Sequence, residues 1–170
     1  MKLWDKLTST RRPDENVVAL PVAELRQRIL DLNRPTAPWQ IIDGADEGVD
    51  LIAEWKIVDA RWYEIFAKAG LEKVFRIRMK FDEGVHELRA KDEEYEVSWR
   101  AGVPTLSLSR SKTMGQTQSI QFGAAYGFTE ELRPGEIYNY RFNTGELKGP
   151  IQEVVTAGGW TYKGISFGKL

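Results

Sequence analysis

Between Phe75 and Phe81 the chain alternates apolar and basic side chains without a break: Phe75, Ile77, Met79 and Phe81 against Arg76, Arg78 and Lys80. A period of two places the sets on opposite faces of an extended strand. The apolar face needs a core, and the basic face needs water or acids. A helix would smear both sets around its circumference. The segment therefore commits its surroundings to a sheet covered on one side, a pattern typical of antiparallel pairing.

The flanking sequence extends that pattern. Asp82-Glu83-Gly84 turns the chain, and Val85–Ala90 reads as the next strand. Tyr95, Val97 and Trp99 then alternate with Glu94, Glu96 and Ser98 before a turn at Arg100-Ala101-Gly102. Thr105–Ser109, Thr117–Phe122, Ala125–Thr129 and Ile137–Phe142 also read as strands. Upstream, Trp39–Asp43 and Val49–Val58 flank an acidic, glycine-containing loop, the signature of a hairpin. Pro21 opens a helix with Val22, Leu25, Ile29 and Leu32 on one face, and Asn33-Arg34-Pro35 ends it. A second helix is expected between Asp59 and Gly70, and a third over Pro150–Ala157, closed by Gly158-Gly159 and followed by a strand from Trp160 to Phe167.

The expected fold is α+β: a mainly antiparallel, strongly twisted meander sheet or partial barrel of about seven to nine strands, with two or three short helices packed on it. Residues 1–16 read as a short N-terminal segment and polar linker, and residues 17–170 as a single α+β domain. A chain of 170 residues is long enough for one such core.

Charge and cysteine content remove several function classes. The 24 basic residues nearly balance 25 acidic ones, so no overall field steers the chain toward nucleic acid, which is not an expected partner. The absence of cysteine removes disulfides, thiolate metal sites and cysteine nucleophiles. No apolar run approaches the roughly 18 residues of a membrane helix, and the charged Met1–Leu7 does not read as a signal peptide. A soluble, cytoplasmic protein is the expectation.

Catalytic signatures fail in turn. His86 is the only histidine, and no G-x-S-x-G elbow accompanies it. Neither a phosphate-binding P-loop nor a dinucleotide fingerprint occurs, and no cofactor is expected. The acids Asp43, Asp46, Glu47 and Asp50 lie close enough in sequence to converge on a hard cation, although their spacing departs from the EF-hand pattern and suits a hairpin loop equally well. Glu54 and Glu64 are a candidate carboxylate pair flanked by aromatics. Arg76, Arg78 and Lys80 could form a stripe for an anion or an RNA backbone, with Tyr95 or Trp99 nearby for stacking, and Trp55 and Trp62 are further candidate ligand-binding residues. The competing reading pairs the two arginines across strands with Glu87, Glu94 and Glu96. Thr105–Ser119, rich in hydroxyls and amides, could accept a peptide strand.

The leading expectation is a non-catalytic protein-interaction or binding module whose partner is another protein or a second copy. Two alternatives stand beside it. Trp55, Phe75, Ile77, Met79, Trp99 and Tyr138 could enclose a small apolar ligand in a cavity between sheet and helix. Carboxylates could support a hydrolase. Leu3, Trp4 and Leu7, flanked by Lys2 and Lys6, are expected packed on the body of the domain or frayed from it, because seven residues bury too little apolar area for stable peripheral membrane contact alone.

Overall fold

The alternation at Phe75–Phe81 lies within a strand of ten residues in the computed structural model, which describes residues 2–56, 67, 73–100, 103–108, 144–166 and 168–170. Five strands form a meander in chain order. They are β1 (Trp39–Asp43), β2 (Leu51–Trp55), β3 (Lys73–Asp82), β4 (Glu87–Arg100) and β5 (Val103–Leu108), and each pairs antiparallel with the next. β6 (Thr161–Gly164) joins β4 in parallel. Helices α1 (Leu3–Leu7), α2 (Val22–Leu30) and α3 (Thr144–Ala157), with a 3-10 turn at Ala45–Glu47, complete the described elements. The fold is thus α+β with a mostly antiparallel, open sheet. The strands expected at 117–122, 125–129 and 137–142, and nearly all of the helix expected at 59–70, lie outside the described residues.

β4 departs from expectation. The strand begins at Glu87 instead of Val85, and Glu87–Ala90 and Tyr95–Trp99 belong to one strand of 14 residues, running straight through Lys91-Asp92-Glu93-Glu94. β3 lines one side of β4 from Glu87 to Glu96. The other side forks, with β6 along Glu87–Ala90 and β5 along Tyr95–Arg100. His86 lies before the strand, with a positive φ of 49°, and its ring meets the Trp160 ring at 5.2 Å.

Register assigns the faces. Phe75, Ile77 and Met79 stand opposite Glu94, Asp92 and Ala90, so these six share one face of the sheet. Leu51, Ala53 and Trp55 of β2 join them, and Trp55 meets Phe75 edge to face at 6.2 Å. Leu25 and Ile29 of α2, one helical turn apart, pack into the same core as Leu147, Ile151 and Val155 of α3. Full burial of each such side chain stabilises by about 1.5–3 kcal/mol. The opposite face carries Ile52, Glu54, Arg76, Arg78, Glu93 and Tyr95.

α3 begins six residues before Pro150, where the sequence predicted its start. Proline removes its own N–H bond and crowds the carbonyl four residues back, and the Leu147/Ile151/Val155 stripe supplies apolar contact on both sides of it that offsets this cost. The helix ends at the predicted glycines. The Trp160 N–H donates to Val155 O and the Gly159 N–H to Thr156 O, each at 3.0 Å. This is a Schellman closure with Gly159 left-handed at φ 76°, and the bulky Trp160 folds back toward buried Val155.

Among the described residues, β1 is one edge of the sheet. Its outward-facing main chain at Ile41 is met by one side chain: Asn33 donates Nδ2–H to Ile41 O and accepts the Ile41 N–H, both at 2.7 Å. Among the described residues no helix is long and apolar enough to cross a membrane.

Candidate functional site

Three of the sequence-predicted site residues, Arg76, Arg78 and Glu47, meet on the sheet face away from α3. The acidic loop between β1 and β2 carries a 3-10 turn (Ala45–Glu47) and a left-handed Gly48 at φ 73°. It brings Glu47 to β3. Glu47 accepts two hydrogen bonds from Arg76, at 2.9 and 2.7 Å, and its main-chain oxygen accepts one from Arg78. Glu93, across the strand from Arg76, accepts from Arg76 at 3.3 Å and from Arg78 at 3.2 Å. The Arg76 guanidinium also lies over the Tyr95 ring at 5.2 Å, and the Tyr95 hydroxyl donates to Glu93 at 2.9 Å.

This cluster corrects the expected pairing. Glu94 lies on the other face, opposite Phe75, and Glu96 is opposite Lys73. A shift of one residue along a strand changes the face, so Glu93 takes the role assigned to its neighbours. Hydrogen bonds from Arg76 hold the Glu47 carboxyl below its ordinary pKa, against the opposing effect of burial. Burial, followed by the hydrogen bond to Glu93, pushes the Tyr95 phenol up to about 12. Two guanidiniums and two carboxylates balance in charge. A ligand carboxylate or phosphate on Arg76 would have to displace Glu47.

The remaining loop acids turn to separate tasks. Asp43 takes Arg26 at 2.6 Å and the Ala45 N–H at 2.7 Å, while Asp50 takes the Phe81 N–H at 2.8 Å. Asp46 is exposed. Among the described residues no three His, Cys, Asp or Glu side chains gather in a metal-binding group. Glu54 accepts from Gln40 at 3.0 Å; Glu64 and Trp62 lie outside the described residues. Trp55 is buried on the α3 side of the sheet, and the register places Trp99 on the opposite side, so the two do not line one cavity wall. A groove of about 380 Å³ lies at the β1 edge, lined by Asn33, Arg34, Pro35, Gln40, Ile41, Ile42 and Lys56.

A second polar group, unforeseen from sequence, lies under α3. Lys148 Nζ meets Asp92 Oδ2 at 2.6 Å, with the Asp92 side chain fully buried and that of Lys148 nearly so. The pair sits where β4 has neither β5 nor β6 beside it. Tyr162 is buried close by, its hydroxyl has no hydrogen-bond partner among the described residues, and burial with Asp92 raises its pKa well above the ordinary value. The Leu147/Ile151/Val155 spacing could have revealed α3 ahead of Pro150, but not that its lysine points inward.

The third feature is an arm formed by residues 2–12. The Arg11 N–H donates to Tyr162 O at 2.9 Å, and the Tyr162 N–H returns to Arg11 O at 2.8 Å, so the arm adds an antiparallel bridge beside β6. Thr8 and Thr10 are buried and hydrogen-bond each other at 2.7 Å. Asp5 is buried and takes two hydrogen bonds from Arg12, both at 3.1 Å, which hold its carboxyl below the ordinary pKa. α1 therefore docks by its polar side. Leu3 is 74% exposed, and Trp4 and Leu7 are each 58% exposed. The trio, expected packed on the body or frayed from it, lies on a formed helix and faces away from the body.

No family model matches the chain, nor does any curated protein or any solved structure.

Proposed function

We propose that the protein is a non-catalytic binding module that makes contact through its residue 2–12 arm. The observation that carries this reading is the inverted docking of α1, with aspartate turned in and Leu3, Trp4 and Leu7 turned out. At about 100° per residue, those three side chains span an arc of roughly 100°, and Asp5 lies on the far side of the helix. A helix docked only for stability would bury the apolar arc. The tethers at Asp5, Thr8, Thr10 and Arg11 hold that arc outward, so α1 is already formed when a partner arrives, and little ordering entropy remains to oppose binding.

The polar clusters support the same reading. The arginines of β3 are matched by Glu47 and Glu93, and Glu54 is matched by Gln40. Among the described residues, no specific observation favours the apolar carrier or the carboxylate hydrolase.

A contact surface is dispensable for folding, and that gives the test. Leu3→Gln, Trp4→Gln and Leu7→Gln are each expected to shift Tm by less than about 2 °C. Asp5→Ala, which strips the buried anchor, lowers Tm clearly. A loss above about 6 °C from any of the three glutamine variants would make the trio part of the core and end the proposal.

A further inference from the structure

The charge around the exposed trio points to the chemistry of its partner. Residues 2–12 hold four basic side chains, Lys2, Lys6, Arg11 and Arg12, and one acid, Asp5. The arm thus carries a net +3 on a protein whose overall charge is −1. Asp5 is turned inward onto Arg12 and is not displayed, whereas all four basic residues are exposed. Lys163 adds a positive charge near Asp5, and Glu87 a negative one near Arg12. Lys2 and Lys6 flank an apolar knob of one tryptophan and two leucines. We infer that the arm binds an anionic lipid surface, with Leu3, Trp4 and Leu7 entering the headgroup boundary and the lysines meeting lipid phosphates and carboxylates. This rests on the arm being the binding surface.

Other occupants fit less well. In a two-fold contact between copies, the same patch meets itself, which would bring Lys2 and Lys6 of both copies into one interface. A specific protein interface buries about 800 Å² per partner. Three side chains of at most about 150–250 Å² each, already partly covered, fall short of that area. A membrane needs no shape-matched rim. It accepts a shallow amphipathic element, places tryptophan at its natural depth, and attracts lysines through its surface potential. The exposed area remains small and there is one anchoring element, so the binding should be reversible and salt-sensitive.

The test is co-sedimentation of the full chain with vesicles of neutral phosphatidylcholine and with vesicles containing about one third phosphatidylserine. Partition should be at least tenfold stronger onto the anionic vesicles and should fall steeply as salt is raised. Combined Leu3→Gln, Trp4→Gln and Leu7→Gln should weaken it at least a hundredfold. Combined Lys2→Gln and Lys6→Gln should weaken it roughly thirtyfold, from about fivefold per lysine. Val18→Gln removes an exposed apolar side chain outside the arm and should leave partition unchanged. Circular dichroism confirms that each variant is folded. Equal partition onto both vesicle types, no partition, or full retention by the folded triple variant would each overturn the lipid assignment. If the lipid experiment fails while the three single variants keep wild-type Tm, the arm remains a binding surface for a different partner. If the variants unfold, the arm reading itself is lost.

Discussion

Two adjacent glycines close α3, and the structure assigns them opposite sensitivities. At Gly159 an added Cβ would lie 2.7 Å from Ala19 Cα, Ala19 N and Val18 C, all backbone atoms, and the residue is left-handed at φ 76°. The left-handed conformation costs a residue with a Cβ about 1–2 kcal/mol. Forcing the adjoining strand of chain aside adds about 1–3 kcal/mol. Gly159→Ala should therefore lose about 2–5 kcal/mol, or about 4–20 °C in Tm for a chain of this size. At Gly158 the same methyl would meet Leu25 Cδ1 at 3.0 Å and Leu20 Cδ1 at 3.2 Å, both ends of flexible side chains, besides the helix carbonyl of Val154 at 3.3 Å. Restricting the unfolded chain returns about 0.4–1 kcal/mol, so Gly158→Ala should stay within about 1 kcal/mol of wild type. Thermal and guanidinium unfolding followed by far-ultraviolet circular dichroism measures both. A Gly159→Ala protein within about 2 °C of wild type would refute the reasoning, as would equal losses at the two positions.

Other perturbations probe the polar clusters. Lys148→Met strands the buried Asp92 carboxylate and should cost about 3–5 kcal/mol, whereas Asp92→Leu combined with Lys148→Met should recover part of that loss. Additive losses in the double-mutant cycle would show that the two residues do not act as a pair. Glu47 has a folded pKa below its ordinary 4.5, so its contribution is present above that pH and is lost as pH falls through the folded value. Glu47→Gln should flatten the acid limb of the stability curve; at 39% side-chain exposure the effect is on the order of 1 kcal/mol or less. Tyr95 has the opposite sign, with a folded pKa of about 12 against an ordinary 10. Its contribution is full below pH 10 and fades as pH rises toward 12, and Tyr95→Phe should shrink the fall in Tm over that window. An unchanged alkaline limb would count against the buried phenol.

The sheet was legible because alternation is a local property: Phe75–Phe81 states its own faces, and Leu25/Ile29 states the inner face of α2. Partners were less legible, since they depend on register. Composition suggested that Arg76 and Arg78 would find acids, but only the β3–β4 pairing distinguishes Glu93 from Glu94. Lys91-Asp92-Glu93-Glu94 looked like an interruption because four charged residues in a row favour water. Here a lysine from a helix 56 positions away neutralises the inward Asp92. α1 was misread for the opposite reason. Its sequence is amphipathic either way round, and the choice of face is made by Arg12, Thr8 and Thr10, which read as linker residues.

The Asn33 amide at the sheet edge bears on how this chain behaves in a crowd of its own kind. A bare strand edge invites another strand, and each addition presents a fresh edge, so growth has no natural stop. In this protein the main chain of Ile41 already has its donor and acceptor engaged by a side chain, which satisfies the strand without extending it. Stopping that growth at Ile41 therefore depends on one amide. A single nucleotide change can turn asparagine into aspartate, which keeps the acceptor for the Ile41 N–H and loses the donor to Ile41 O.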